Sequence, residues 1–135
     1  MTRTAMVASY MVVLLVLSGI PDHNIDGSLL SYVPSTLQNL LHIPAFGLLA
    51  LLWADRFRSW KQPIGANLSW SAAIAASYGA VTELLQRWVP GRTASLLDVV
   101  LDVTGIAIAL LLYWVAGLPS PAKAIKGFHA QRADY

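Results

Sequence analysis

Apolar residues dominate four segments of the chain, at residues 4–20, 37–54, 69–88 and 97–116, and polar residues collect between them. Each segment approaches the ~20 residues with which an α-helix crosses a hydrocarbon core. In lipid the backbone must satisfy its own hydrogen bonds, and a helix does so within one segment. The pattern therefore predicts an all-α integral membrane bundle of four transmembrane helices. The first segment, with its run from Met11 to Leu17 and Arg3 before it, also has the outline of a signal peptide, but Ser18, Gly19, Ile20 and Pro21 make a poor cleavage site. The second and third segments carry polar groups, which marks one side of each as turned toward other helices.

The segments between them set the predicted orientation. Residues 21–36 hold Asp22 and Asp26 but no Lys or Arg, whereas residues 55–68 hold Arg56, Arg58 and Lys61, and the end of the chain holds Lys123, Lys126 and Arg132. The positive-inside rule then places the second connection and both termini in the cytoplasm. With Arg3, seven of the nine basic residues lie inside, and Arg87 and Arg92 stand together on the outer side. Trp53, Trp60, Trp70 and Trp114 fall near inner boundaries and Trp88 near an outer one, as an interfacial belt does. Tyr78 falls mid-span. The implied organisation is a transmembrane domain over residues 1–118 and a polar cytoplasmic tail over residues 119–135.

Composition agrees with an integral membrane protein. Hydrophobic residues make up 56% of the 135 residues and charged residues 12%, about half the share of a soluble domain. Mean hydropathy is +0.58. The net charge of +2 is carried in connections between apolar spans, which argues for membrane orientation rather than nucleic-acid binding. The chain has no cysteine, which excludes a disulfide, a thiolate metal site and a thiol nucleophile.

Local chemistry sharpens the picture at the outer end. Val89, Pro90, Gly91 and Arg92 read as a helix stop and a tight turn, with Pro-Gly suited to the centre of type II. Ser95 and Asp98 have the spacing of a capping box opening the fourth helix, and Ser35 and Gln38 the same before the second. Pro44 would free the carbonyl of Leu40 inside a continuous helix. Either the second helix kinks there or a short interfacial helix ends near Ile43; both put His42 at the outer boundary.

Helical spacing places Asp98, Asp102, Gly105 and Ala109 on one face, and Ala75, Gly79, Glu83 and Gln86 on another. Small residues permit close approach, and the short connection makes these two helices antiparallel neighbours. Glu83, Gln86, Asp98 and Asp102 then gather at one end, where His42 enters from the second helix. Two carboxylates four residues apart repel when both are ionised. Arg87, Arg92 and His42 are the internal cations, and a divalent metal is the external option that histidine with carboxylates admits. No metal site and no cofactor is assigned from the sequence.

The residues Tyr78, Gly79, Glu83 and Gln86, followed by Val89, Pro90, Gly91, Arg92, Ser95, Asp98 and Gly105, resemble the VanZ-like membrane protein family. Leu41, His42, Ile43 and Phe46 resemble its second-helix motif. The likeness runs from about residue 37 to residue 113. It departs in two places: Gln38 and Asn39 stand where the family usually has an Asp-Lys pair, and Asp102 stands where it often has Asn. The resemblance implies a bacterial membrane protein of the cell envelope, in a family whose name-giving member is associated with low-level teicoplanin resistance. It does not supply an enzyme class.

Several of these residues have plainer roles open to them. Glu83 and Gln86 fit a solvated helix end, Asp98 a cap, Arg92 a counter-charge to Asp98 or to lipid phosphate, and His42 a packing histidine. Ser95 reads as a cap rather than a nucleophile. Asp102 lies a turn deeper and is harder to dismiss. The leading expectation is a polar outer-leaflet site, with Arg92, Gln86, Glu83 and His42 as ligand-binding residues, that takes a membrane lipid phosphate or a lipid-linked cell-wall intermediate. The alternatives are an intramembrane enzyme acting on lipid-linked phosphate, with His42, Glu83, Asp98 and Asp102 as catalytic candidates, and an ion or proton transporter. A homo-oligomer fits the small volume that four short helices enclose.

Overall fold

The computed structural model describes residues 2–21, 35–90, 92 and 95–117, all of whose regular structure is helical. The acidic connection at residues 22–34, the centre of the Pro-Gly turn at Gly91 and the tail from residue 118 lie outside the described residues, as does the side chain of Ser35. The elements are α1 (Arg3–Ser18), α2 (Ser35–Leu40), α3 (His42–Ser59), α4 (Ile64–Gln86) and α5 (Leu96–Gly117). Four long helices match the four apolar segments, and α2 is an additional short one.

Each boundary has a local cause. Thr2 opens α1 by accepting the Ala5 N–H on its hydroxyl at 3.2 Å. The break between α2 and α3 follows from Pro44, which has no N–H to return to Leu40. The chain turns at Leu41, and Pro44 becomes the third residue of α3, inside the first turn, where a missing donor leaves no hydrogen bond unmade. The short-helix reading is thus the one realised, with its end at Leu40 rather than near Ile43. His42 is the first residue of α3.

The connection expected over residues 55–68 is mostly helical. α3 continues to Ser59, and its end is closed by Gln62 N–H to Phe57 O at 3.3 Å and Lys61 N–H to Arg58 O at 3.0 Å. This is the Schellman arrangement, and it puts Lys61 at φ 56°, in the left-handed region. Pro63 then caps α4, which starts five residues earlier than residue 69, the predicted first residue of that span. The shift brings Asn67 into the helix. It is 2% exposed, donates Nδ2–H to the Ala54 carbonyl at 3.0 Å and accepts the Ser71 hydroxyl at 3.2 Å.

α3 is the central element. A Cβ on Gly105 would stand 2.0 Å from the Ile43 carbonyl oxygen, and one on Gly47 would stand 3.0 Å from the Gly105 carbonyl oxygen, so α3 and α5 meet backbone to backbone. The small-residue face of α5 expected to meet α4 is therefore shared: Gly105 and Ala109 face α3, while Asp102 faces Gly79 of α4. Leu14, Phe46, Leu49, Ala50, Ala75, Ile106 and Leu110 fill the interior. α1 is tied in by two phenols, Tyr10 donating to Ala45 O at 3.0 Å and Tyr78 donating to Met11 O. An ion pair from Arg3 to Asp55 at 3.3 Å joins the start of α1 to the end of α3.

The outer surface is apolar. Val12, Val16, Leu97, Leu111, Leu112 and Val115 are each more than half exposed, while Glu83, Gln86, Asp98 and Asp102 are buried. Residues Thr36–Ser59 and Leu96–Gly117 are long and apolar enough to cross a membrane.

Candidate functional site

Thr82, Glu83, Gln86, Asp98 and Asp102, all buried, collect at the end of the bundle where α3 and α5 begin and α4 ends. His42 Nδ1 lies 2.7 Å from Asp102 Oδ1, the imidazole N–H donating to the carboxylate. Asp102 is 1% exposed. It fits there because Gly79 on α4 has no side chain: a Cβ at that position would come within 2.6 Å of Asp102 Oδ2. Phe46, one turn after His42, stacks on the imidazole with ring centroids 6.0 Å apart and planes 11° from parallel.

Glu83 and Asp98 meet around the entry to α5. Ser95 caps that helix by accepting the Asp98 N–H on its hydroxyl at 3.4 Å. In a closed capping box the Asp98 carboxylate would accept the Ser95 N–H. Here Glu83 Oε2 accepts it instead, at 3.1 Å. Glu83 Oε1, Asp98 Oδ1 and Asp102 Oδ2 are all buried without a hydrogen-bond partner among the described residues. A nitrogen of His42, an oxygen of Glu83 and an oxygen of Asp98 lie within 4.8 Å of one another, a grouping able to hold a metal ion. Two carboxylate charges at that spacing repel by about 3 kcal/mol at an effective dielectric constant of about 20. A cation placed among them replaces that repulsion with attraction.

A cleft of about 200 Å³ opens beside the cluster, lined by the polar side chains of His42, Gln86 and Arg92 and by the apolar ones of Leu14, Leu17, Leu41, Ala45 and Phe46. Arg92 is held by its own backbone, its N–H donating to Val89 O at 3.1 Å across the Pro90 turn. Its guanidinium makes no ion pair among the described residues, so it does not neutralise Asp98. Gln86 is buried, and Thr82 contributes to the wall while its hydroxyl donates to Gly79 O at 2.8 Å.

The structure thus gathers His42, Glu83, Asp98 and Asp102 in one cluster and sets Gln86 and Arg92 beside it. Arg87 is exposed and stays outside. Among the contributors not picked out as site residues are Gln38, one turn before His42, Phe46, one turn after it, and Leu14 of α1. Helical spacing around His42 was the available signal for the first two. Leu14 carried none, because nothing in its neighbourhood says which way α1 turns.

A bundle of apolar-surfaced helices with a buried carboxylate and histidine cluster at one end is the class these features define. The chain belongs to the VanZ/LLP1 family, which it matches over residues 3–117. No curated protein and no solved structure matches it significantly. Family membership and the two long apolar helices together point to a membrane protein.

Proposed function

We propose that this chain is a four-span protein of the bacterial inner membrane, with both termini cytoplasmic, whose outer-end cleft binds the phosphate of an anionic lipid or lipid-linked cell-wall intermediate. The observation that carries the reading is Arg92: a guanidinium without an ion pair among the described residues, lining a cleft that is otherwise mostly apolar. A guanidinium binds phosphate oxygens bidentately, and Leu14, Leu17, Leu41 and Ala45 suit the adjoining hydrocarbon. His42 and Arg58 lie at opposite ends of α3, about 24 Å apart along the axis at 1.5 Å per residue. The site therefore sits at the end away from the basic, cytoplasm-favouring connection. Retention of a lipid-linked wall precursor would also connect the chain to the teicoplanin phenotype associated with the family's name-giving member.

Native mass spectrometry of the purified chain with phosphatidylglycerol and with phosphatidylcholine tests the reading. Preferential retention of the anionic lipid, lost in Arg92→Ala and partly kept in Arg92→Lys, is the expected result. Equal retention by wild type and Arg92→Ala would overturn it.

A second reading is favoured by the His42–Asp102 pair. A buried carboxylate that orients an imidazole is the arrangement of a general base, and Arg92 beside it would stabilise charge developing on a phosphate. Transfer or hydrolysis at a lipid-linked phosphate follows from those parts. An unaltered envelope-lipid profile by thin-layer chromatography in a deletion strain would count against it. A through-path for ions has less support, because Leu49, Ala50, Ala75, Ile106 and Leu110 form an apolar block between the cluster and the buried pair Asn67 and Ser71. Ion flux in liposomes would reverse that judgement.

A further inference from the structure

We propose that His42, Glu83 and Asp98 form a binding site for one divalent first-row metal ion, with Asp102 orienting the imidazole from behind. The inference goes beyond lipid binding and stands without it.

Convergence is the first support. Three helices, α3, α4 and α5, each deliver one ligand-bearing side chain, and the three ligand atoms lie within 4.8 Å of one another. Metal–nitrogen and metal–oxygen bonds of about 2.0–2.2 Å at tetrahedral angles place two ligands of one ion about 3.4 Å apart. A separation of 4.8 Å thus closes with combined side-chain movements of about 1.4 Å.

The second support is independent of the clustering. Glu83 and Asp98, two of the converging side chains, are 4% and 8% exposed, and each has a buried oxygen without a hydrogen-bond partner among the described residues. Buried carboxylate oxygens are almost always hydrogen-bonded. The Ser95 N–H is already given to Glu83 Oε2, and the Asp98 N–H to the Ser95 hydroxyl. A metal ion is a partner that satisfies both free oxygens at once.

The histidine has the matching arrangement. Nδ1 lies 2.7 Å from Asp102 Oδ1; the tautomer with its proton on Nδ1 leaves the Nε2 lone pair for a metal and fixes the ring, the carboxylate–histidine pattern found behind metal ligands. One imidazole with two carboxylates and no thiolate suits Mn²⁺ or Zn²⁺ rather than a soft ion such as Cu⁺. Three protein ligands leave coordination positions for water or for a phosphate oxygen from the adjoining cleft.

The test uses the full chain in a phosphate-free maltoside detergent after treatment with EDTA. Mn²⁺ is titrated while free ion is followed by electron paramagnetic resonance, and Zn²⁺ is then added in competition. One Mn²⁺ per chain, displaced by Zn²⁺, is expected. Glu83→Gln and Asp98→Asn should each weaken binding at least tenfold, while Asp55→Asn, at the opposite end, should leave it unchanged. Pulsed measurements on a chain carrying His23→Gln and His129→Gln, which keeps His42 as its sole histidine, should show nitrogen coupling to the bound Mn²⁺; this readout needs no substitution in the cluster. Failure of both ions to bind at one per chain, unchanged affinity in both carboxylate variants, or bound Mn²⁺ without nitrogen coupling would each overturn the proposal. Because no phospholipid is present, loss of lipid preference in Arg92→Ala is a separate outcome.

Discussion

Glu83 Oε2 accepts the backbone N–H of Ser95 at 3.1 Å, and so takes the donor that Asp98 would claim in a closed capping box. A side chain of α4 thereby caps α5, and the Asp98 carboxylate is released into the cluster, its Oδ1 without a hydrogen-bond partner among the described residues. The contact that closes the hairpin also arms the site. Glu83→Ala should lower stability by about 1–3 kcal/mol, the cost of leaving a buried donor unmet. Glu83→Gln should cost less, because its amide oxygen still accepts. Helical circular dichroism during unfolding in detergent measures both; equal losses would mean that the Ser95 bond is not what Glu83 contributes.

The His42–Asp102 contact at 2.7 Å should appear as energetic coupling. Residues in direct contact couple by about 0.5–3 kcal/mol, and remote ones add independently. A double-mutant cycle with His42→Ala and Asp102→Ala is expected to fall in that range. Asp102→Asn should retain much of the stability, since its side-chain oxygen still accepts the imidazole N–H and its volume still matches the space left by Gly79. Additive losses in the cycle would show the pair to be incidental.

Much of this site was legible because helical geometry is regular. Spacing put Asp98 and Asp102 on one face and Glu83 and Gln86 on another, and the short turn at Pro90 forced the two helices together. What escaped depended on tertiary partners. Gly105 looked like a contact for α4, yet its face meets Ile43 and Gly47 of α3, and nothing local in the chain chooses between two neighbours. Asn67 was left outside the third span because a polar residue ends an apolar run, although its amide is satisfied by Ala54 and Ser71 inside the bundle. The break at Leu41 was half visible: Pro44 required one, but its place in the first turn of α3 became clear only with the helix start at His42.

Asn67 should therefore behave as a core residue. Asn67→Leu leaves the Ser71 hydroxyl without its acceptor. A loss of about 1–3 kcal/mol is expected from that unmet group. The double substitution Asn67→Leu with Ser71→Ala should recover part of it, since replacing both partners by apolar groups removes the unsatisfied one. Thermal unfolding of the two variants in the same detergent decides; a double variant no better than the single would rule out the hydroxyl as the cause.

Lys61 occupies the left-handed position of the Schellman turn at φ 56°, where a Cβ is strained and glycine is the usual occupant. Lys61→Gly should stabilise the α3–α4 connection by up to about 1 kcal/mol, the lower end of the left-handed penalty for a residue with a Cβ. Lys61→Val should destabilise it, because β-branching worsens the same clash. Melting temperatures in the order Gly above Lys above Val are expected.

Gly105 makes the sharpest steric prediction. An added methyl group would sit 2.0 Å from the Ile43 carbonyl oxygen, and that neighbour is backbone within the first turn of α3, so no side-chain rotation relieves the clash. Gly105→Ala should force α3 and α5 apart and cost about 1–3 kcal/mol, the usual range for overpacking. The separation would also move His42, one residue before Ile43, relative to Asp102, one turn before Gly105, so the pair should loosen along with the bundle. Gly65, also in a helix, has nothing within 4 Å of an added Cβ. Gly65→Ala should be neutral or stabilise by a few tenths of a kcal/mol, less than the roughly 0.5–1 kcal/mol of a mid-helix site. Unfolding measurements on the two alanine variants, with the imidazole resonances of His42 followed by NMR, separate packing from propensity. A Gly105→Ala chain as stable as Gly65→Ala, with the His42 signals unmoved, would mean that α3 and α5 do not touch backbone to backbone.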